Sequence, residues 1–234
     1  ERLEEFLGYR PLSHEAIRNR VLQAAEKEES WCSKEKKSVQ VLFVEVDGLH
    51  VRMQQRGRCN NERKSKEQRI AIVHEGWESK GGRTNLKHHR HFKQEGQGDF
   101  WEAFDDFLQK HYEIDENTWI VVGGDGAQWI GECTSYFQQC VYMLDRFHVA
   151  RDLKKYIGHL PKEWKSIRKM LASGDGSGLV KQVQKIGQEL IKPEHREDWK
   201  RFVQFLVEHE EHLKDYREVL KEQGIDTSKM RPMG

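Results

Sequence analysis

The amino-acid sequence predicts an α/β fold: a mixed sheet flanked by helices, followed by an all-α C-terminal part. Apolar runs rich in β-branched residues occur at positions 39–46 and 119–122. Strand and amphipathic helix patterns alternate between positions 99 and 157, and the strand pattern disappears beyond position 161. Three consecutive strands followed by such alternation are typical of a mixed sheet covered by helices.

The bulk composition excludes several functional classes. The 234 residues include 40 basic and 39 acidic side chains, so nucleic-acid affinity would need a local basic face rather than global charge. The four cysteines form no CxxC pair, which argues against a zinc ribbon and fits a reducing cytoplasm. No apolar stretch approaches about 18 residues, so we expect neither a membrane span nor secretion.

The N-terminal residues 1–30 predict a helix among many charges, with Ser13 as a candidate N-cap, and residues 31–38 predict a linker. A short amphipathic packing helix and a piece of a helix-turn-helix both fit this pattern. The first central strand follows at residues 39–46, because a continuous apolar run indicates a strand buried on both faces.

Two further strands are expected to complete a meander. Gly48 and Leu49 predict a tight turn, residues 50–54 a second strand and residues 68–77 a third. The segments 56–66 and 83–93 are basic and poor in apolar residues, which favours loops.

The remaining elements alternate and then become helical. Asp99 predicts the N-cap of an amphipathic helix that ends near Tyr112. Strands are expected at 119–122 and 140–144, and helices at 127–137 and 147–157. Helices at 164–171, 178–191 and 194–224 follow, interrupted by a Gly-Ser segment and by Pro193.

Two aspartates are the strongest functional signal. Asp47 directly follows the first apolar run, and Asp125 follows the strand at 119–122. A carboxylate at the end of a buried strand is held rigidly with its oxygens toward solvent, which suits a divalent cation. Asp-Gly is also a hairpin-turn signal, so each aspartate alone fits a turn equally well. Their shared position after two buried strands favours a metal site.

Three short motifs carry a family resemblance. Asp47 on the first strand, the stretch Gly124-Asp125-Gly126-Ala127-Gln128-Trp129-Ile130, and the stretch Leu144-Asp145-Arg146-Phe147-His148-Val149 resemble signatures of bacterial insertion-sequence transposases. These enzymes have a DDE-type, RNase H-like catalytic domain, and the Lre-type insertion-sequence family is the nearest likeness. The resemblance runs from about residue 39 to the C-terminus. Each motif is short, but their order and spacing together are fairly specific.

The resemblance implies an RNase H-like catalytic core at 39–160 and a helical insertion at 161–234. Residues 1–38 would then be the remnant of a DNA-binding region. Its implied activity is metal-dependent phosphodiester hydrolysis and strand transfer at transposon ends. The implied partners are transposon and target DNA and further copies of the chain, in the bacterial cytoplasm at the nucleoid.

By the same resemblance, Asp47 and Asp125 are the first two members of the DDE triad and bind two Mg²⁺ or Mn²⁺ ions. Paired metals stabilise charge on both the attacking and the leaving oxygen of a phosphodiester. In the family the third acid follows the insertion, shortly after a segment resembling residues 231–234. We therefore expect the third carboxylate to lie outside this chain, whose own activity would be absent or impaired.

Five further side chains are candidates for groups around the metals. In the family the stretch with Asp145 and His148 leads from a strand into a core helix, and His148 either touches a phosphate or orients a metal-bound water. The alternative is that Asp145 caps the helix and His148 packs against it. Glu45 shares a sheet face with Asp47 and is either an auxiliary ligand or a structural carboxylate. His50 and His74 lie on neighbouring strands, where packing is the commoner role of a histidine.

The two basic segments are candidates for contacts with the DNA backbone, because phosphate binding requires Lys and Arg rather than a fixed spacing. Solvated loops are the alternative. The residues concerned are Arg56, Arg58, Arg63, Lys64, Lys66, Arg83, Lys87, Arg90 and Lys93. Trp77 and Trp129 fit core packing better than stacking on a splayed base.

Two other functions remain open from the sequence. One is an RNase H-like nuclease that acts on RNA or branched DNA. The other is a domesticated protein that binds nucleic acid without cutting it.

Overall fold

The computed structural model describes residues 36–52, 65–94, 98–189, 191 and 195–233. The predicted N-terminal helix with Ser13 lies outside these residues. The strands are β1 (Lys37–Ser38), β2 (Val41–Arg52), β3 (Ser65–His74), β4 (Trp77–Lys80), β5 (Arg83–Leu86), β6 (Arg90–Lys93), β7 (Tyr112–Glu113), β8 (Trp119–Gly124) and β9 (Cys140–Leu144).

Eight α-helices are found among the described residues. They are α1 (Phe100–His111), α2 (Gln128–Gly131), α3 (Cys133–Tyr136), α4 (Arg146–Ile157), α5 (Pro161–Ser173), α6 (Gly176–Glu189), α7 (Arg196–Glu208) and α8 (Tyr216–Glu222). A 3₁₀ turn, Glu210–Leu213, lies between α7 and α8.

Five strands form one mixed sheet in the order β6-β3-β2-β8-β9. β2, β8 and β9 run parallel, whereas β3 is antiparallel to β2 and β6 is antiparallel to β3. The predicted class is therefore confirmed: a mixed, RNase H-like sheet is flanked by helices, and helices make up the C-terminal part.

The two faces of the sheet pack against different elements, because side chains alternate along each strand. On one face, Leu42, Val44 and Val46 of β2 contact the aromatic side of α1. On the other, Val41 and Phe43 pack with α8 and the C-terminal segment 225–233. This second face, here called the C-terminal face, also holds Glu45 and Asp47, since both follow Phe43 at intervals of two residues.

The predicted turn at Gly48 and Leu49 is wrong. β2 continues through both residues, and Gly48 pairs with Arg69 of β3. The predicted second strand at 50–54 therefore overlaps the end of β2, and Asp47 lies inside a strand. The Asp-Gly signal is local, whereas pairing with ten residues of β3 extends the strand across it.

The third strand of the meander is β6, within a segment that the sequence indicated as a basic loop. Four residues of β6 pair with β3. Phe92 points inward and its ring centroid lies 5.2 Å from that of Phe104 on α1. Short, charged edge strands carry little apolar pattern because only one of their faces is buried, which explains why periodicity missed this one.

Local caps set the helix boundaries. Asp99 accepts hydrogen bonds from the backbone N–H groups of Trp101 and Glu102 at the start of α1, as predicted. The single helix predicted at 194–224 is divided into α7, the 3₁₀ turn and α8. Asp215 caps α8 by accepting from the Arg217 N–H at 3.0 Å.

Candidate active site

Three aspartates are carried by three adjacent parallel strands: Asp47 lies within β2, Asp125 directly follows β8 and Asp145 directly follows β9. The last paired residues are Glu45 with Gly123 and Gly124 with Leu144. Two residues beyond the first pair, the same register would set Asp47 opposite Asp125. One residue beyond the second pair, it would set Asp125 opposite Asp145. Since paired strands lie about 4.8 Å apart, the three aspartates are carried side by side on three adjacent strands.

A cleft of about 420 Å³ opens on the C-terminal face at this position. Glu45, Asp47, Asp145 and His148 supply its polar groups. The apolar lining includes Ile70 and Ile72 of β3, Met143 and Leu144 of β9, Phe147 of α4 and Met233 of the C-terminal segment. The cleft is therefore acidic, with a largely apolar floor.

Asp145 is fixed at the N-terminus of α4. Its Oδ1 accepts a hydrogen bond from the Phe147 N–H at 2.7 Å, and its own N–H donates to the Gly124 carbonyl at 2.7 Å. Its Oδ2 lies 2.9 Å from Nδ1 of His148, one helical turn later. Capping and the cleft are thus compatible roles, because one carboxylate oxygen serves the helix and the other faces the histidine.

Glu45 stands beside His74 on the neighbouring strand. Burial, and then the negative charge of Asp145, raise the pKa of the Glu45 carboxyl. The negative charges of Glu45 and Asp145 therefore repel each other across the cleft. The Nε2 of His74 lies 3.8 Å from Oε1 of Glu45, and burial lowers the pKa of this histidine to about 4.

Asp125 lies beyond the end of β8, in the turn to α2. Its Oδ1 accepts from the Ala127 N–H at 3.0 Å, and Gly126 turns the chain with φ +96°. The side chain is exposed and is not among the residues that line the cleft. Asp125 therefore lies in a turn, which is one of the two roles that the sequence left open. This turn follows β8, the strand that pairs with the β2 strand of Asp47.

The donor set fits a hard divalent cation held through few protein ligands. Among the residues that the structure describes, no three His, Cys, Asp or Glu side chains converge tightly enough to enclose an ion. Mg²⁺ is commonly bound by one or two carboxylates, with waters and substrate phosphates as the remaining ligands. Asp47 and Asp125, which are exposed and carried by adjacent strands, are the carboxylates that would serve as such ligands.

The other site residues predicted from the sequence lie on both faces of the sheet. His50 lies an odd number of residues from Asp47 along a continuous strand, so it points to the opposite face of the sheet. Lys93 pairs with Ile70, a residue that lines the cleft, and therefore shares the cleft's face of the sheet. Arg90, paired with Val73, is half-buried on the other face.

Arg83 and Lys87 are exposed in and after the β4–β5 hairpin. The side chains of the first basic segment, Arg56, Arg58, Arg63, Lys64 and Lys66, lie outside the described residues. Trp77 and Trp129 pack: the Trp77 ring is 4.7 Å from that of Phe43, and Arg69 stacks 4.4 Å above Trp129.

Two residues of the cleft were missed by the sequence. Met233 is buried, and its side chain covers Gly123. Phe147 is 63% exposed at the mouth of the cleft. Both residues lie in segments that the family resemblance had selected, Phe147 directly before His148 and Met233 within 231–234, but a position in a motif does not show which side chain lines a cleft.

The fold and the cleft define an α/β protein with a mixed sheet and an acidic cleft at the ends of its parallel strands. The chain belongs to the uncharacterised protein family UPF0236, whose model matches residues 1–234. In the described residues, no helix combines the length and the apolar character needed to cross a membrane.

Curated relatives are similar over most of the chain. One UPF0236 protein of Caldanaerobacter subterraneus subsp. tengcongensis is 30% identical over 213 residues, which are 88% of this chain and 43% of the relative. The UPF0236 protein in the vanSb 3′ region of Streptococcus gallolyticus is 31% identical over 186 residues, 75% of this chain and 39% of the relative. The chain thus spans less than half the length of these relatives.

Proposed function

We propose that the chain is the catalytic core of a DNA transposase that hydrolyses phosphodiesters and transfers strands at transposon ends with Mg²⁺ or Mn²⁺. One observation supports this most. Asp47 lies within β2 and lines an acidic cleft, and Asp125 directly follows β8, the parallel neighbour of β2. The RNase H-like strand order is consistent with that chemistry.

In this proposal Asp47 and Asp125 hold the cations. Bound metal would supply charge stabilisation to the attacking and leaving oxygens of the phosphodiester. Asp145 holds His148 through their 2.9 Å contact, so the imidazole is oriented toward a phosphate or a water in the cleft. Glu45, next to Asp145, adds to the negative potential that attracts cations.

The third acid would come from residues that follow in a longer homologous chain. Met233 and Asp47 both line the cleft. In a longer homologue, the residues that follow this segment would therefore leave from the same cleft. The relatives are more than twice as long as the part that matches, which leaves room for this ligand. The complete transposition reaction, its DNA partners and self-association are therefore proposed for the whole protein.

The names of two relatives support the proposal that the gene belongs to a mobile element. The name of one relative joins eleven locus designations, and the name of another joins four, in the same bacterium. Repetition within a genome is the expected result of a gene that moves or copies itself.

The test is Mn²⁺ binding by this chain, measured by calorimetry on wild type, Asp47→Asn and Asp125→Asn. Each substitution removes one hard ligand, so we expect affinity to fall at least about tenfold. Asp198→Asn, at an exposed position of α7, is the matched control and should bind Mn²⁺ as wild type does. Equal Mn²⁺ affinity in all four proteins would refute the metal site.

A longer, full-length homologue separates the possible reactions. Mn²⁺-dependent nicking at transposon ends, abolished by the substitution equivalent to Asp47→Asn, is expected. Cleavage of RNA·DNA hybrids or branched DNA without preference for the ends would favour the nuclease. DNA binding without any cutting would favour the domesticated protein.

A further inference from the structure

Phe147 is the most exposed of the large hydrophobic side chains in the described residues, at 63% against 54% for Leu49 and 44% for Tyr136. A single exposed apolar side chain is common and by itself means little. Phe147 differs by its position, because it lines the mouth of the acidic cleft.

The backbone of Phe147 is held by contacts of the two residues that precede it. Asp145 caps the Phe147 N–H at 2.7 Å. The guanidinium of the buried Arg146 lies 3.5 Å from Asp215 and donates to the Ala172 carbonyl at 3.4 Å. The ring of Phe147 is thus presented to solvent from a fixed helix start, with its centroid 5.8 Å from that of His148.

The same side of α4 is basic. Arg151, Lys154 and Lys155 follow Phe147 by four, seven and eight residues, a spacing that sets them on one helix face. All three are exposed. Asp152 pairs with Arg151 at 3.1 Å and with Lys155 at 2.7 Å, so three cations and one anion leave two positive charges.

The dimensions of this face match a nucleic-acid strand. Eight residues of helix extend about 12 Å, which is the axial rise of three to four nucleotides in stacked B-form DNA at about 3.4 Å each, and an opened strand covers this distance with fewer nucleotides. An aromatic ring followed by cations is the combination that binds single strands, because bases stack and phosphates pair with Lys and Arg. A protein partner would need a larger apolar patch than one phenyl ring.

We propose that the face formed by Phe147, Arg151, Lys154 and Lys155, the α4 track, binds one DNA strand where it leaves the cleft. Phe147 stacks on an unpaired base, whose face is free only when the base is out of the duplex. This inference rests on the proposed function, and it specifies the substrate as a locally opened strand end.

The experiment is fluorescence anisotropy of a labelled single-stranded oligonucleotide and of its duplex, in EDTA so that metal binding plays no part. We expect Phe147→Ala to weaken single-strand binding about 5- to 150-fold and to change duplex binding little. Phe147→Leu should lose nearly as much, because it keeps the apolar volume but has no π face. Phe147→Trp should retain binding.

Tyr136→Ala is the matched aromatic control, since Tyr136 is exposed on α3 and does not line the cleft. It should bind as wild type does. Lys154→Gln should reduce the salt dependence of single-strand binding by about 0.7 in the logarithmic slope, and Lys200→Gln on α7 should not. Circular dichroism establishes that each variant is folded.

Wild-type affinity of Phe147→Ala or Phe147→Leu for single strands would overturn the stacking role. An equal loss in Tyr136→Ala would do the same. Because these measurements exclude divalent ions, their failure is distinct from a failure of the Mn²⁺ test on Asp47 and Asp125. Equal Mn²⁺ affinity in wild type, Asp47→Asn and Asp125→Asn, together with the expected α4-track binding, would refute only the catalytic proposal.

Discussion

At the scale of single residues, the carboxylates of the cleft repel one another, and a histidine that burial keeps neutral lies beside one of them, Glu45. His74 is fully buried, with its ring stacked 5.3 Å from Phe43 and its Nδ1 3.0 Å from the Gly76 carbonyl. Burial first, and then nearby His89, lower its pKa to about 4, although the Gly76 hydrogen bond opposes this shift.

This histidine predicts a loss of stability in mild acid. The unfolded pKa is about 6.5, so between pH 6.5 and 4 the unfolded chain binds more protons than the folded one. The stability that the folded state gains relative to a protonated His74 is complete above pH 6.5 and is lost as the pH falls toward 4. We expect it to amount to about 2 kcal/mol between pH 7.5 and pH 5.

Urea unfolding of wild type and His74→Gln at both pH values measures this contribution. The variant should lose less stability than wild type over the same pH interval. His50→Gln, at an exposed position of β2, should show the same pH dependence as wild type. An identical pH dependence of wild type and His74→Gln would contradict the prediction.

At the scale of elements, the turn from β8 to α2 aims Asp125. Gly126 has φ +96°, and a side-chain carbon there would come within 2.5 Å of the Phe205 ring. Gly126→Ala therefore combines backbone strain with a clash, and we expect a loss of about 2 to 4 kcal/mol of unfolding free energy. Mn²⁺ affinity should fall with it, because Asp125 shifts.

Gly81 offers a matched control in the β4–β5 hairpin. Its φ is +60°, and nothing lies within 4 Å of the position that an added carbon would take. Gly81→Ala should cost only about 1 kcal/mol and leave Mn²⁺ affinity unchanged. Chemical unfolding and calorimetry measure both quantities, and equal costs at the two glycines would show that Phe205 does not constrain the turn.

At the scale of the whole molecule, a buried ion pair joins the start of α4 to the start of α8. Arg146 and Asp215 have side chains only 8% and 6% exposed, 3.5 Å apart. Burial alone would raise the pKa of Asp215, but hydrogen bonds from Arg217 and the charge of Arg146 hold it below its usual value. The pair connects the cleft to the helical C-terminal part.

Removing one partner should be costly. Arg146→Met leaves Asp215 buried with Arg217 alone, and we expect a loss of about 3 kcal/mol in urea unfolding. The exposed pair of Arg201 and Asp198 is the control, since Arg201→Met should cost less than about 1 kcal/mol. The double substitution Arg146→Met with Asp215→Asn should recover part of the loss; no recovery would contradict the coupling.

The sequence predicted the elements that have strong periodicity. Apolar runs located β2, β8 and β9, and Asp99 located the start of α1. Alternation from Asp47 correctly assigned Glu45 to the same face. It failed for β6, where only Phe92 faces the core, and at Gly48, where a local turn signal lost to long-range pairing with Arg69.

The sequence by itself determined the α/β class and located the strands that carry Asp47 and Asp125, because burial imposes a pattern that is visible residue by residue. Only the tertiary structure decided which groups meet. It set β8 beside β2, brought Asp145 near Glu45, turned His50 to the other face and exposed Phe147 at the mouth of the cleft. These outcomes depend on strand order and register, which arise from contacts between residues far apart in the chain.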